Sequence, residues 1–460
     1  MIHGSPIVTA NRVSENMNEG SNPYVLNAAK DHRVKFIRLW FTDILGLLKS
    51  VAIPVEQLEA ALNEGIGFDG SSVEGFARID ESDMIALPDP NTFQILPFRP
   101  QETETVARMF CDIMEPNGNP YQGDPRWVLR KNLKRASDLG FTFYVSPELE
   151  YFYFKDTDLP LQGLDEGGYF DLTPLDVASD LRRETVLSLE GMGIEVASSH
   201  HEGAPSQHEI DLLYADALTT ADNAMTYRLV VKEIALKHKV WATFMPKPIS
   251  GENGNGMHTH MSLFKGERNA FFDPEDRYHL SKIAKGYISG LLRHAREITL
   301  VTNQWVNSYK RLVPGYEAPL FASWAMVNRS DLVRVPAYRP GKEQAVRVEY
   351  RSPDPACNPY LAFSVMLAAG LDGIEKGYDL PPPTEQNVSD LSSEERMAAG
   401  IEMLPQDLSQ AIECAEGSQL LRGALGDQVL QKFLKNKKIE WANYRAQVTE
   451  YEVKQYLKIL

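Results

Sequence analysis

The side chains best placed to do chemistry are carboxylates, histidines and arginines that recur at strand spacing. In the run 145–154, VSPELEYFYF, Glu148 and Glu150 stand two positions apart within a β-branched and aromatic segment. Side chains on a strand alternate, so the two acids share one face about 7 Å apart, at about 3.3 Å per residue. Leu149 and Tyr151 then face a core. Two like charges on one face call for a cation between them, and a divalent metal is the usual solution. Segment 199–209, SHHEGAPSQHE, carries Glu202 and Glu209 on either side of a Gly/Pro turn that can fold them toward one point. Segment 251–262, GENGNGMHTHMS, runs from a glycine-rich loop into a strand whose His258, His260 and Ser262 share a face. Arg347, Glu349 and Arg351 do the same in RVEYR. Segment 307–319, NSYKRLVPGYEAP, adds Arg311 and Glu317, and Arg329 and Arg334 follow it.

Five acids, one histidine and a set of arginines suit polyphosphate held by two divalent ions, with guanidiniums on the phosphoryl group being transferred. No Walker A run occurs, so metal and arginine would hold a nucleotide without a glycine-rich cradle. Taken singly, each segment has a plainer explanation: a solvated edge strand at 148–150, a surface turn at 202–209, structural histidines at 258–260, an intrastrand ion-pair ladder at 347–351. It is their joint presence that argues for a site.

The elements that must position these groups divide the chain in two. Residues 1–22, rich in Asn, Ser, Gly and Glu, are expected to be a disordered extension. A small mixed unit over 23–116 reads as a short helix at 25–30, strands at 34–41 and 48–53, a helix at 55–62, a glycine-rich loop at 67–72, and strands at 92–98 and 106–112. A Pro/Gly/Asn-rich stretch at 116–125 closes it. The remainder, 117–460, alternates helices at 125–139, 180–192, 217–238, 278–302 and 358–376 with extended segments at 141–154, 199–213 and 241–247. Helix 358–376 is apolar nearly all round and is expected to be buried, and 392–395 reads as a capping box.

At 460 residues the chain can bury a large core, and its net charge of -16 argues against a nucleic-acid or anionic-membrane partner. Cys111, Cys357 and Cys414 are far apart, odd in number and without C-x-x-C spacing, which fits a reducing cytoplasm. The N-terminal stretch lacks a secretory pattern, and the most apolar run, 361–371, is too short to span a bilayer.

From about Val34 onward the motifs FTDILG, FDGSS, PELE, HHEGAPSQHE, NGNGMHTHMS, NSYKRLVPGYEAP, NRS and RVEYRSPDP occur in order, and the chain resembles the type I glutamine synthetases. The resemblance implies an α+β fold, with a small N-terminal β-grasp domain and a large catalytic α/β domain whose active-site strands are antiparallel. It implies ATP-dependent phosphorylation of glutamate on its γ-carboxylate, followed by displacement of phosphate by an amine. One ion, Mg²⁺ or Mn²⁺, would be held by Glu150, Glu202 and Glu209, and a second by Glu148, His258 and Glu349. Asn253, Gly254 and Arg311 resemble substrate-glutamate contacts, with Arg334 beside them. Arg329, Arg334 and Arg351 resemble the residues that neutralise phosphate, and Ser262, His260 and Arg347 are expected to meet the nucleotide. Glu317 is similar to a loop glutamate that closes the site and takes a proton from ammonium, and Asp43 and Tyr169 to parts of the ammonium pocket. The implied partners are L-glutamate, ammonium and ATP, in a homododecamer of two stacked rings whose sites are shared between neighbours.

Three positions bear on how far the likeness extends. A family glutamate five residues before Glu202 is Ala197 here, which removes a nucleotide contact. A tyrosine adenylylated in some members is Ser389, and Arg78 resembles the residue associated with glutamine feedback in the shorter type I subgroup. The nearest rival is a γ-glutamylpolyamine or other γ-glutamylamide synthetase, which keeps the same metal and phosphate residues. A non-catalytic ring-forming homologue would have lost a metal ligand, and none is lost.

Overall fold

Ile37, Leu39 and Phe41 alternate along one strand, and in the computed structural model, which describes residues 21–75, 83–98, 105–328 and 330–460, all three are buried. The first sheet comprises β1 (Val34–Thr42), β2 (Leu48–Pro54), β3 (Ile66–Asp69), β4 (Asp83–Pro88), β5 (Gln94–Ile95) and β6 (Thr105–Met114). Their order is β2-β1-β6-β4-β3, with β5 on β6. β1 and β6 are parallel neighbours and the other pairs are antiparallel. Helices Asn22–Asp31 and Leu58–Glu64 bury Val25, Ala29, Leu58 and Ala61 in the core of this sheet. Ser21 caps the first helix, accepting the Tyr24 N–H, so positions 21 and 22 of the expected extension belong to folded structure. Residues 1–20 lie outside the described residues.

The second sheet comprises β7 (Thr142–Phe154), β8 (Val196–His201), β9 (Gln207–Leu212), β10 (Ala215–Asp216), β11 (Trp241–Thr243), β12 (Met257–Lys265), β13 (Arg268–Asn269), β14 (Trp324–Ala325), β15 (Val333–Arg334) and β16 (Val348–Tyr350). It runs β14-β15-β16-β12-β7-β9-β8, with β10 and β11 on β7 and β13 on β12. β7 pairs antiparallel with both β12 and β9, so the strand carrying Glu148 and Glu150 lies at the centre. Leu149 and Tyr151 face the core at 0% exposure, the opposite side from the acids. Helices Pro125–Asp138, Ala217–Lys237, Lys282–Thr302 and Pro359–Lys376 contribute to the same core.

The last two of these helices meet backbone to backbone. A Cβ added to Gly290 would collide with the Ala369 carbonyl, and one added to Gly373 with the Gly286 carbonyl. Helix Pro359–Lys376 is buried over most of its length, and Asn358 caps it by accepting the Tyr360 and Leu361 N–H groups. At the start of helix Pro125–Asp138, Arg126 is 3% exposed and pairs with Asp89 and Asp112 of the first sheet's unit and with Asp222 of helix Ala217–Lys237, at 2.6–2.9 Å. One guanidinium thus ties the first sheet to the second.

Three local readings change and a fourth holds. The stretch read as a glycine-rich loop at 67–72 is β3 followed by a 3₁₀ turn, Gly70–Val73, because β4, unrecognised in sequence, pairs with it. The strand expected at 92–98 shrinks to β5, since Asp89 caps a 3₁₀ turn at Pro90–Thr92. The helix expected from 278 begins at Lys282: Ser281 is its cap, and Asp276 takes the N–H groups of Tyr278 and Leu280 into a turn. The capping box at 392–395 forms, on a helix of one and a half turns, Ser393–Ala398.

Candidate active site

Register across the second sheet assembles the acids. Across β7 and β9, Glu148 faces Asp211 and Glu150 faces Glu209. Across β12, His258 faces Glu148 and His260 faces Glu349, and across β15 and β16 Arg334 faces Glu349. The turn between β8 and β9 returns Glu202 to the same edge, where Glu202 Oε1 meets His200 Nε2 at 2.9 Å. All of these except His260 wall a cavity of about 470 Å³, which Arg351 also lines. Asn253 and Gly254 reach it from the loop before β12, and Tyr169 and the exposed Glu317 from two surface segments.

A second cavity of about 330 Å³ adjoins the first, with Glu148 and Asp211 lining both. His260, Ser262 and Arg347 line it together with Ala197. Its wall is aromatic: Tyr144 meets Tyr214 edge-on at 5.7 Å and Phe264 at 5.0 Å between ring centres.

Two expected site residues, Arg311 and Asp43, line neither cavity. Arg311, 2% exposed, spends its N–H groups on the carbonyls of Ser352, Pro353 and Arg351 and supports Gly254 and Gly256 from beneath. Asp43 lies in the turn after β1, 1% exposed, accepting from Leu45 and Leu47 N–H at 3.0 and 2.8 Å with Lys49 at 3.4 Å. It lines neither cavity, and burial raises its carboxyl above the usual range. Arg329, like Arg78, lies outside the described residues.

The electrostatics split two acids that share a face. Burial, reinforced by Glu202, pushes Glu150 up to about 8, although its Oε2 accepts from Gln207 Nε2 and Gly256 N–H at 2.8 and 2.9 Å. Burial opposes ionisation of Glu148 too, but the adjacent His258 ring and a hydrogen bond from His260 hold it well below the carboxylate range. Burial and then Asp211 raise Glu209. For Glu349, burial is outweighed by His260, Arg351 and His258, which keep it low.

This donor set fits divalent ions. Ligand atoms of Glu148, His260 and Glu349 lie within 4.8 Å of one another, as do those of His200, Glu202 and Glu209, and those of Glu148, Glu209 and Asp211. The two histidines of β12 differ in what they can offer. His260 Nδ1 accepts from Arg347 Nε at 3.2 Å, so its Nε2 carries the hydrogen and donates to Glu148 at 2.7 Å. No lone pair is left for a metal. His258 has a buried Nε2 without a hydrogen-bond partner, and its Nδ1 stands 3.4 Å from Glu148 and 3.8 Å from Glu349, separations an ion can bridge.

The sequence reading missed Asp211, His200 and Gln207. A signal for Asp211 was present, since 209 and 211 repeat the two-residue spacing of 148 and 150. His200 and Gln207 carry no such mark, because their role comes from the folding of the turn between them.

Comparison with known proteins decides the family. The glutamine synthetase catalytic-domain model matches residues 122–456 and the glutamine synthetase β-grasp-domain model residues 33–116. The chain belongs to the glutamine synthetase family. A glutamine synthetase of Mycolicibacterium smegmatis is 57% identical over 440 residues, spanning 95% of this chain and 99% of that protein. One of Methanosarcina mazei is 52% identical over 439 residues, spanning 95% and 97%. Among solved structures, a GmaS/ADP complex superposes with a TM-score of 0.86 at 32% identity, covering 94% of this chain and 99% of its own. A cryo-EM glutamine synthetase of Plasmodium falciparum shares the fold, with a TM-score of 0.86 at 24% identity over 96% of this chain and 100% of its own. No helix among the described residues is long and apolar enough to cross a membrane.

Proposed function

We propose that the chain ligates ammonia to the γ-carboxylate of L-glutamate at the expense of ATP, giving glutamine, ADP and phosphate. The observation that carries this reading is the pair of adjoining cavities: one acid-lined with arginines on its wall, the other aromatic, with Glu148 and Asp211 lining both. A nucleotide base in the aromatic cavity would direct its phosphates toward the acid-lined one, past Arg347 on one side and Arg334 and Arg351 on the other.

Two divalent ions, Mg²⁺ or Mn²⁺, would be held by Glu150, Glu202 and Glu209 and by Glu148, His258 and Glu349, and bound there they neutralise phosphate charge. Asn253 and Gly254 orient glutamate so that a γ-carboxylate oxygen faces the terminal phosphorus. That oxygen forms the new P–O bond as the bond to ADP breaks, leaving γ-glutamyl phosphate. Glu317 takes a proton from ammonium, the freed ammonia attacks the acyl carbon, phosphate departs with the bonding pair, and the nitrogen gives its second proton to the departing phosphate, leaving the amide. Arg334, Arg351 and Arg329 hold the charge that develops on the phosphoryl group.

Asp43 and Tyr169 complete the ammonium pocket, with Asp43 serving the site of a neighbouring subunit, because in its own chain it lines neither cavity. Phe170, Leu172, Leu175 and Val177 beside the cavity are 50–79% exposed, an apolar surface suited to burial in a ring assembly, which we take to be a dodecamer. The three cysteines are unpaired, two of them buried, in keeping with a cytoplasmic setting. Phosphate release at equal concentrations of ammonium, putrescine, spermine and ethanolamine, with glutamate and ATP present, tests the reading. Turnover fastest with ammonium is expected, and turnover fastest with a larger amine would replace ammonia as the acceptor.

A further inference from the structure

The turn that brings Glu202 back toward Glu209 is held by residues outside the acid cluster. Within it Ser206 takes φ 62°, a left-handed conformation that a residue with a side chain adopts only when its surroundings enforce it. Asp165 supplies the enforcement. Its Oδ1 accepts the Ser206 N–H at 2.8 Å, its own N–H donates to Ser206 Oγ at 3.0 Å, and Ser206 Oγ donates to its carbonyl at 3.0 Å. The same Oδ1 meets His201 Nε2 at 2.9 Å, and His201 Nδ1 donates to the carbonyl of Glu202 at 2.7 Å. The Asp165 and His201 side chains are 1% and 0% exposed. One carboxylate therefore fixes the turn at residue 206 directly and at residue 202 through an imidazole.

Asp165, His201 and His208 present ligand atoms within 4.8 Å of one another, which raises the alternative of a metal centre. The hydrogen bonds argue against it. Arg182 can only donate, and its Nη1 lies 2.8 Å from His208 Nδ1, so that nitrogen holds the lone pair and Nε2 holds the hydrogen. His201 uses Nδ1–H on the Glu202 carbonyl and presents Nε2 to a carboxylate oxygen, an approach that is attractive only with a proton between them. Neither ring has a lone pair to give, so the cluster is a brace.

We propose that Asp165 is a positioning residue for the ion held by Glu150, Glu202 and Glu209, acting through Ser206 and His201 on the backbone that carries Glu202. The inference rests on the two-ion reading above. Partners one step removed from a metal fix where its ligands stand, and losing one costs about 10–100-fold in affinity. The effect is confined to one ion, because the brace touches the turn between β8 and β9 and makes no contact with Glu148, His258 or Glu349.

Manganese binding followed by electron paramagnetic resonance on the full-length protein tests this without recourse to activity. Wild type takes two ions per chain. In a Glu349→Ala background, which keeps the ion of interest, adding Asp165→Ala weakens the remaining ion at least tenfold. In a Glu209→Ala background, adding Asp165→Ala leaves the remaining ion unchanged. Asp165→Asn, which keeps an acceptor for Ser206 N–H, weakens the ion less than Asp165→Ala and decides the matter if the alanine variant does not fold. Equal loss in both backgrounds, or loss in neither, overturns the assignment. A wild type that takes fewer than two ions removes the two-ion reading itself, and this inference with it.

Discussion

Glu148 and Asp211 are register partners across β7 and β9, and both line both cavities. Like charges directly opposite each other on adjacent strands destabilise a sheet. Here the opposed acids stand where a phosphate chain and its cations would lie, so cation binding would relieve the opposition.

Proton release should accompany metal binding. Burial and Glu202 place Glu150 at about 8, and burial with Asp211 raises Glu209, so at pH 7 the metal-free site retains protons. A divalent ion needs both groups ionised; its affinity therefore rises with pH toward about 8 and its binding releases protons below that. Calorimetric titration of Mn²⁺ in buffers of different ionisation enthalpy counts them. No net release at pH 7 would contradict the electrostatic account.

Replacing Glu150 by alanine should lower turnover by more than about 100-fold, since even residues behind a ligand cost about 10–100-fold. The fold should survive, because the substitution removes a buried acid that repels Glu202. Steady-state rates at saturating Mg²⁺ together with thermal unfolding without metal make the check; near-normal rates would sink the ligand assignment.

Sharing of sites between subunits makes a prediction about mixtures. Asp43→Ala and Glu317→Ala chains, each inactive alone, should regain activity when refolded or co-expressed together, because some interfaces then pair an intact Asp43 with an intact Glu317. Co-assemblies as inactive as their parents would mean that the two residues serve one chain.

His294 offers a stability test away from the site. Burial disfavours its charged form, but Glu297 at 3.0 Å and Asp372 at 2.9 Å more than offset this and raise its pKa. A group raised on folding stabilises fully below its unfolded value, about 6.5, and the contribution disappears as pH rises through the folded value. The difference in unfolding temperature between wild type and His294→Asn should therefore be larger at pH 5.5 than at pH 9. A gap that stays constant or widens with pH would show that the imidazolium contributes nothing.

What could be read beforehand was whatever depends on neighbours along the chain. Alternation over 142–154 put Glu148 and Glu150 on one face and Leu149 and Tyr151 in the core, because facing is a property of one strand. Register is a property of two. It decided that Asp211 would stand opposite Glu148, that Glu349 would meet His260, and that β4 would draw Gly67 into an edge strand. Residue type and spacing likewise left His258 and His260 equivalent as metal ligands; the resemblance assigned the metal to His258, and the hydrogen bond from Arg347 to His260 Nδ1 is a difference between the two rings that no spacing shows.

The helix pair that meets at Gly286, Gly290, Ala369 and Gly373 has a consequence for how such a chain can change over generations. Where backbone touches backbone, no compensating exchange of large for small side chains is open, so the crossing admits almost no variation in sequence or register. On the site's side of the sheet the loop at Asn253 is held in the same way, since a Cβ added to Gly254 would meet the Pro246 carbonyl, whereas nothing lies within 4 Å of one added to Gly315, beside Glu317. A new acceptor amine is therefore most readily accommodated by redrawing the segment around Glu317, on a frame that is unable to drift beneath it.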